Sequence, residues 1–160
     1  MKTALYPGTF DPITFGHLDI IERAAAIFDK VIITAARNPK KTPLFGVDER
    51  MEMLTSVTKD LKNVSCESFD GLLVDFAKKS GAQVLIRGLR AISDFEYEFQ
   101  MALVNRKLSD ALVTVFLMPG EKYTYLNSTI VKEVAMFGGD ISAFVPPHVA
   151  RSVLKKINQK

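Results

Sequence analysis

The sequence predicts an α/β protein built on a five-stranded parallel sheet with helices on both faces. Short β-branched apolar runs alternate with stretches whose apolar residues recur at helical spacing, about five of each. The strand-like runs, such as Val31-Ile32-Ile33 and Val84-Leu85-Ile86, are apolar at consecutive positions, as strands covered on both faces are. Glycine and proline pairs punctuate the joints between them.

Residues 4–6 read as the first strand. Residues 16–29 read as a helix, with Leu18, Ile21, Ala25 and Phe28 on one face. Residues 30–36 form the second strand, and the next loop carries Asn38-Pro39 and Thr42-Pro43. A helix begins at Val47-Asp48 and carries Met51, Met53 and Leu54. Residues 63–69 are the third strand, and Asp70-Gly71 turns it into a helix over 72–79 that Gly81 ends. Residues 83–86 are the fourth strand, with Arg87-Gly88-Leu89-Arg90 as its exit loop. A long helix starts near Ser93-Asp94 and carries Phe95, Phe99, Ala102 and Leu103, which suit either a core or an interface. Residues 113–117 are the fifth strand, ended by Pro119-Gly120. A polar-aromatic loop, 121–127, feeds a helix over 128–137 that Gly138-Gly139 breaks. Pro146-Pro147 opens the last helix, with Val149, Val153, Leu154 and Ile157 on one side. No repeat or linker divides the 160 residues, so one domain is expected.

The net charge of +3, from 21 basic and 18 acidic residues, is too small to argue for nucleic acid. The basic residues gather instead at Arg37-Asn38-Pro39-Lys40-Lys41 and at Arg87-Gly88-Leu89-Arg90. Two compact clusters suit a polyphosphate ligand better than a long nucleic-acid backbone. No apolar run could span a bilayer and no signal pattern opens the chain, so a cytoplasmic protein without a membrane partner is expected. The single Cys66 agrees, and reads as a small core-facing residue on a strand. On the same ground the two glycosylation sequons, at Asn63 and Asn127, are discounted.

In parallel sheets, ligands bind beyond the carboxyl ends of the strands, near the switch in strand order. The loops there are 7–16, 37–45, 69–72, 87–90 and 118–127, and both basic clusters lie in them. Gly8 allows close backbone approach, and Thr9 adds a hydroxyl. Gly16 and His17 open a helix, where N–H groups and the helix dipole favour an anion. Neither a Walker P-loop nor a G-x-G-x-x-G fingerprint occurs. Arg87 and Arg90 could grip phosphate, or pair with Asp94, Glu96 or Glu98. Ser128 and Thr129 fit either an N-cap or a second anion site, and Tyr123 and Tyr125 could stack a base. His17 and His148 are the only histidines, and neither a Ser–His–Asp set nor a cluster of metal ligands is visible. Phosphoryl-type transfer needs little more than positioning and charge neutralisation, and a phosphate nucleophile is already ionised.

Thr14-Phe15-Gly16-His17 resembles the (T/H)-x-G-H signature of the nucleotidylyltransferase superfamily. YPGTFDPIT-GH, the loop 39–45, IRGLRA-SDFEYE, VFLMP and STIVKEVA together resemble bacterial phosphopantetheine adenylyltransferases over nearly the whole chain. That resemblance implies a Rossmann-like fold, with residues 1–160 as one nucleotidylyltransferase domain. It implies transfer of AMP from ATP to 4′-phosphopantetheine with Mg²⁺, giving dephospho-coenzyme A and pyrophosphate. It also implies a homohexamer inhibited by coenzyme A. By the resemblance, Thr9, Lys41, Leu73 and Arg87 contact the pantetheine substrate, whose phosphate lies near Thr9, Lys41 and Arg87. Thr9, Phe10, His17, Gly88, Leu89, Arg90 and Glu98 hold ATP, together with Tyr123, Thr124, Tyr125, Leu126, Asn127, Ser128 and Thr129. His17 stabilises charge on the α-phosphate, helped by Lys41 and Arg90. Many relatives carry three serines where this chain has Asn127-Ser128-Thr129, which leaves the role of Asn127 open. The rival readings are a nucleotidylyltransferase for nicotinamide mononucleotide or glycerol phosphate, a nucleic-acid-binding protein, and a catalytically silent nucleotide-binding domain.

Overall fold

Five strands form one sheet in the order β3-β2-β1-β4-β5, every pairing parallel, in a computed structural model that describes residues 1–37, 42–90 and 92–159. The strands are β1 (Thr3–Gly8), β2 (Lys30–Ala36), β3 (Val64–Phe69), β4 (Val84–Gly88) and β5 (Val113–Leu117). The helices are α1 (Phe15–Ile27), α2 (Val47–Thr58), α3 (Leu73–Ser80), α4 (Ile92–Leu108), α5 (Ser128–Met136) and α6 (Pro147–Ile157). The expected Rossmann-like layering is present. Along the central strands, alternate side chains enter two cores. Leu5, Ile32 and Leu85 pack with Val74 and Ala77 of α3. Ala4, Tyr6, Val31, Ile33 and Ile86 pack on the other face against α1, α2, α5 and α6. This is why those strands are apolar at consecutive positions.

The chain steps outward from β1 to β3, then returns to lay β4 on the other side of β1. The reversal makes a crevice between the carboxyl ends of β1 and β4. The register sharpens it. β1 pairs with β2 from Thr3↔Lys30 through Gly8↔Ala35, but with β4 only at Ala4↔Val84 and Leu5↔Leu85. Beyond Leu5, a side chain makes the crossing: Nη1 of Arg87 donates to the Pro7 carbonyl at 3.2 Å.

Several sequence-based expectations need correction. Arg87 and Gly88 are the last residues of β4, not part of a loop. The buried face of α1 is Gly16, Ile20, Ile21 and Ala24, rotated from the expected stripe; Leu18 and Ala25 are only half-buried. In α6, Val149 and Val153 enter the core while Leu154 is exposed. Phe95, Phe99 and Leu103 of α4 are exposed and so do not belong to the core of this chain. Cys66 is half-buried on β3, its Sγ 3.6 Å from the Thr58 hydroxyl, and burial pushes the thiol pKa up. No helix among the described residues is long and apolar enough to cross a membrane.

Gly81 ends α3 at φ +69°, and its N–H donates to the carbonyls of Ala77 and Lys78. A Cβ there would meet nothing within 4 Å, so the effect of adding one is conformational alone. Gly81→Ala should therefore cost about 1–2 kcal/mol, the usual left-handed penalty, and leave ligand affinities unchanged. Urea titration beside a binding assay checks both halves.

Candidate active site

The loop leaving β1 is shaped by an aromatic plug. Phe10 adopts φ +50° and its ring is buried, edge-on to both Tyr6 (centroids 5.5 Å apart) and His17 (5.1 Å). Gly8 makes room for it, because a Cβ on Gly8 would lie 2.7 Å from Cζ of Phe10. Glycine is thus required here by close approach.

α1 begins with a reciprocal cap. Thr14 is its N-cap, and the His17 N–H donates to Oγ1 of Thr14 at 3.4 Å. In return, Nδ1 of His17 accepts the Thr14 backbone N–H at 3.1 Å and lies 3.0 Å from the Thr14 hydroxyl. The imidazole takes the place usually filled by Glu or Gln in this motif. Since Nδ1 accepts from an N–H, the ring proton of the neutral form resides on Nε2. Burial, and then the charge of Arg90, push the His17 pKa down to about 4. His17 is therefore a neutral donor at ordinary pH.

The opposite wall comes from β4 and α4. Arg87 forks onto Glu98, with Nε to Oε2 and Nη2 to Oε1 both at 2.6 Å. Burial opposes the Arg87 charge, but Glu98 more than compensates, and the pKa is raised. Nη1 of Arg90 donates to the Leu126 carbonyl at 3.2 Å. The third wall is the start of α5. The residue that caps it is Asn127, whose Oδ1 accepts the Ile130 N–H at 2.8 Å; Ser128 and Thr129 are not the cap. The Ser128 hydroxyl instead donates to the Pro12 carbonyl at 2.7 Å, tying α5 to the loop after β1. Two helix N-termini, of α1 and α5, thus open onto one cavity of about 730 Å³, a size typical of small-ligand sites.

Thr9, Phe10, His17, Arg87, Gly88, Arg90 and Glu98 all line this cavity, as do Leu126, Asn127, Ser128 and Thr129. Five predicted residues do not. Leu89 gives its N–H to the Leu117 carbonyl, and Leu73 packs beside the core under α3. Tyr123 stacks on Phe15, Tyr125 meets Phe144 edge-on, and the Thr124 hydroxyl bonds the Glu121 carbonyl. Lys41 lies outside the described residues.

Sequence reasoning passed over Asp11 and Lys132, which also line the cavity. Asp11 is buried and accepts from the N–H groups of Leu44 and Phe45, both at 2.9 Å, and from Nζ of Lys132 at 2.8 Å. An Asp before a Pro reads as turn punctuation, and these partners lie 33 or more positions away. Nothing local could have revealed them. Both cavity carboxylates, Asp11 and Glu98, are thus committed to protein donors. Among the described residues no group of three His, Cys, Asp or Glu could hold a metal.

Comparison with known proteins agrees with this architecture. The cytidylyltransferase-like family model matches residues 5–134. A phosphopantetheine adenylyltransferase from Caldanaerobacter subterraneus is 55% identical over 159 residues, 99% of each chain. One from Clostridium botulinum is 55% identical over 160 residues, covering all of this chain and 98% of the relative. The chain belongs to the phosphopantetheine adenylyltransferase family. At the level of fold alone, it superposes on a solved candidate nicotinate-nucleotide adenylyltransferase from Vibrio parahaemolyticus with a TM-score of 0.71 at 19% identity, covering 100% of this chain and 97% of that one. At the edge of this cavity Asn127 caps α5, which gives that residue a structural role.

Two outcomes follow from this geometry. Gly8→Ala should displace the Phe10 ring from His17 and lower turnover about 10²-fold while the chain stays folded, as a small misplacement of a reacting group does; steady-state kinetics and circular dichroism check this. Nitrogen NMR should find His17 as the neutral Nε2–H tautomer well below the ordinary histidine range. The linked stability is full above the unfolded value of 6.5 and is lost as pH falls toward about 4, since only the unfolded chain takes up the proton in that window.

Proposed function

We propose that this chain transfers the adenylyl group of ATP to 4′-phosphopantetheine, releasing dephospho-coenzyme A and pyrophosphate. The observation that carries this reading is the neutral Nε2–H of His17, fixed at the mouth of two helix N-termini, in a chain 54–55% identical to relatives of that name. An oxygen of the acceptor phosphate attacks the α-phosphorus of ATP. The bond from that phosphorus to the bridging oxygen breaks, and pyrophosphate leaves. The attacking oxygen is already ionised, so no side chain need remove a proton. Arrangement supports this economy: Nδ1 of His17, Asp11 and Glu98 already accept hydrogen bonds from the protein. His17 donates from Nε2 to a non-bridging α-phosphate oxygen as negative charge grows there. Arg90, on the opposite wall, supplies positive potential, and Lys41 is assigned the same role by the family resemblance. Thr9 and Arg87 face the acceptor phosphate. Mg²⁺ bound to the phosphates of ATP would neutralise charge on the leaving pyrophosphate.

The finer assignments rest on chemistry as well as resemblance. Coenzyme A contains the pantetheine phosphate moiety, so it would compete for the acceptor groups as a feedback inhibitor. An interface between copies, which a homohexamer requires, is supported by the exposed apolar side chains of α4, including Phe95, Phe99, Leu103 and Leu108. A cytoplasmic location is supported by the single, unpaired Cys66.

Pyrophosphate release should be measured with ATP, Mg²⁺ and, separately, 4′-phosphopantetheine, nicotinamide mononucleotide and glycerol 3-phosphate. Release is expected with phosphopantetheine alone; release with another acceptor instead would overturn the substrate assignment. His17→Ala should lower kcat about 10²–10³-fold, as loss of one oxyanion donor does, while most ATP affinity remains. Near-normal turnover in that variant would remove His17 from the mechanism.

A further inference from the structure

We infer that Arg50, a residue outside the cavity, is a positioning residue for the acceptor-phosphate side of the site. The inference rests on the proposed reaction and deepens it. Arg50 lies in the first turn of α2 and is only 3% exposed. Its Nη1 donates to the Thr9 carbonyl at 2.7 Å and to the Ala36 carbonyl at 3.2 Å. One nitrogen therefore joins the loop after β1 to the carboxyl end of β2. Its buried Nε has no hydrogen-bond partner among the described residues. Burial pulls its pKa down, and the nearby negative charge of Asp11 opposes that pull. Burying a guanidinium with an unpaired N–H is unfavourable, and a neutral core residue would avoid the cost.

What the arrangement accomplishes is visible one residue later. Phe10, at φ +50°, occupies a backbone region that bulky residues avoid. The peptide between Thr9 and Phe10 must be held in one orientation for that conformation to persist. Arg50 holds it by the carbonyl, and so directs Thr9 into the cavity and Phe10 against His17. The peptide it grips carries Thr9, which with Arg87 faces the acceptor phosphate in the proposed reaction, whereas Gly88, Arg90 and residues 126–129, assigned to the nucleotide, line the cavity from the end of β4 and the start of α5. Loss of Arg50 should therefore disturb the acceptor more than the nucleotide. A lysine would retain the charge and a donor, but without the rigid fork.

The test compares Arg50→Met and Arg50→Lys with the parent chain. It reads kcat and both KM values per folded enzyme, and 4′-phosphopantetheine binding by calorimetry without ATP. Arg50→Met should raise the acceptor KM and Kd about tenfold or more, the scale of one lost charge-assisted hydrogen bond, with the ATP KM changed less than about threefold. Arg50→Lys should recover most of that loss. Equal shifts in both KM values, or a fall in kcat with the acceptor Kd unchanged, would reduce Arg50 to a stability element. Should Arg50→Met not fold, the acceptor Kd of Arg50→Leu or Arg50→Ala at reduced temperature takes its place, and an unchanged value there overturns the inference. A parent chain that binds phosphopantetheine but releases no pyrophosphate would sink the proposed reaction, and the binding comparison would still decide the role of Arg50.

Discussion

The imidazole of His17 is committed at one edge before any ligand arrives. By accepting the Thr14 N–H at Nδ1, it closes the cap that starts α1 and determines which nitrogen carries the proton. The same bond resists protonation, because a proton on Nδ1 would face another N–H. Burial and Arg90 act in the same direction. Helix initiation, tautomer and charge state are therefore one interaction seen at three levels. A histidine so placed can donate to an anion but cannot readily act as a base, which suits an acceptor that is already ionised.

The crevice this donor faces exists because the β1–β4 ladder ends at Leu5↔Leu85. Beyond it, Arg87 bridges to Pro7 and forks onto Glu98 of α4. A phosphate approaching Arg87 does not meet a solvated cation. It meets a guanidinium already satisfied by a carboxylate, so binding exchanges one bidentate anion for another or adds to the free edge. The net gain is the difference between two similar interactions. That tempers the contribution Arg87 can make to affinity, while its geometry still selects for a planar, doubly accepting anion.

What the sequence disclosed follows from the range of each signal. Val31-Ile32-Ile33 and Val113-Thr114-Val115 declare strands because β-branched runs and double-sided burial are local properties, and the structure places β2 and β5 there. Gly81 declared a helix end for the same reason. The face of α1 was misjudged because several apolar residues compete around that helix, and packing on the sheet chooses among them. α4 was ambiguous because it is apolar on most sides, and a single chain leaves much of it uncovered. Within the site, the motif residues that line the cavity were legible. Asp11, Lys132 and Arg50 were not, since each works through partners distant in sequence.

Those three residues share a physical logic. The loop from Gly8 to Asp11 carries a strained Phe10 and presents backbone to a ligand, so it cannot stabilise itself by regular pairing. Its conformation must be imposed from outside. Arg50 grips the Thr9 carbonyl from α2, Asp11 draws the Leu44–Phe45 backbone inward, and Lys132 anchors Asp11 from α5. Each is a charge placed where it meets an opposing dipole or charge, which makes it directional in a way apolar packing is not. A loop that must stay open for phosphates and yet hold a donor in register is thus stabilised by buried electrostatics, with the hydrophobic core as its foundation. The cavity residues at the start of α1 can be read from a motif because they sit together in one short segment. The residues that make the motif work are dispersed through α2 and α5, the loop itself supplying only Asp11, because a short loop offers too few partners of its own.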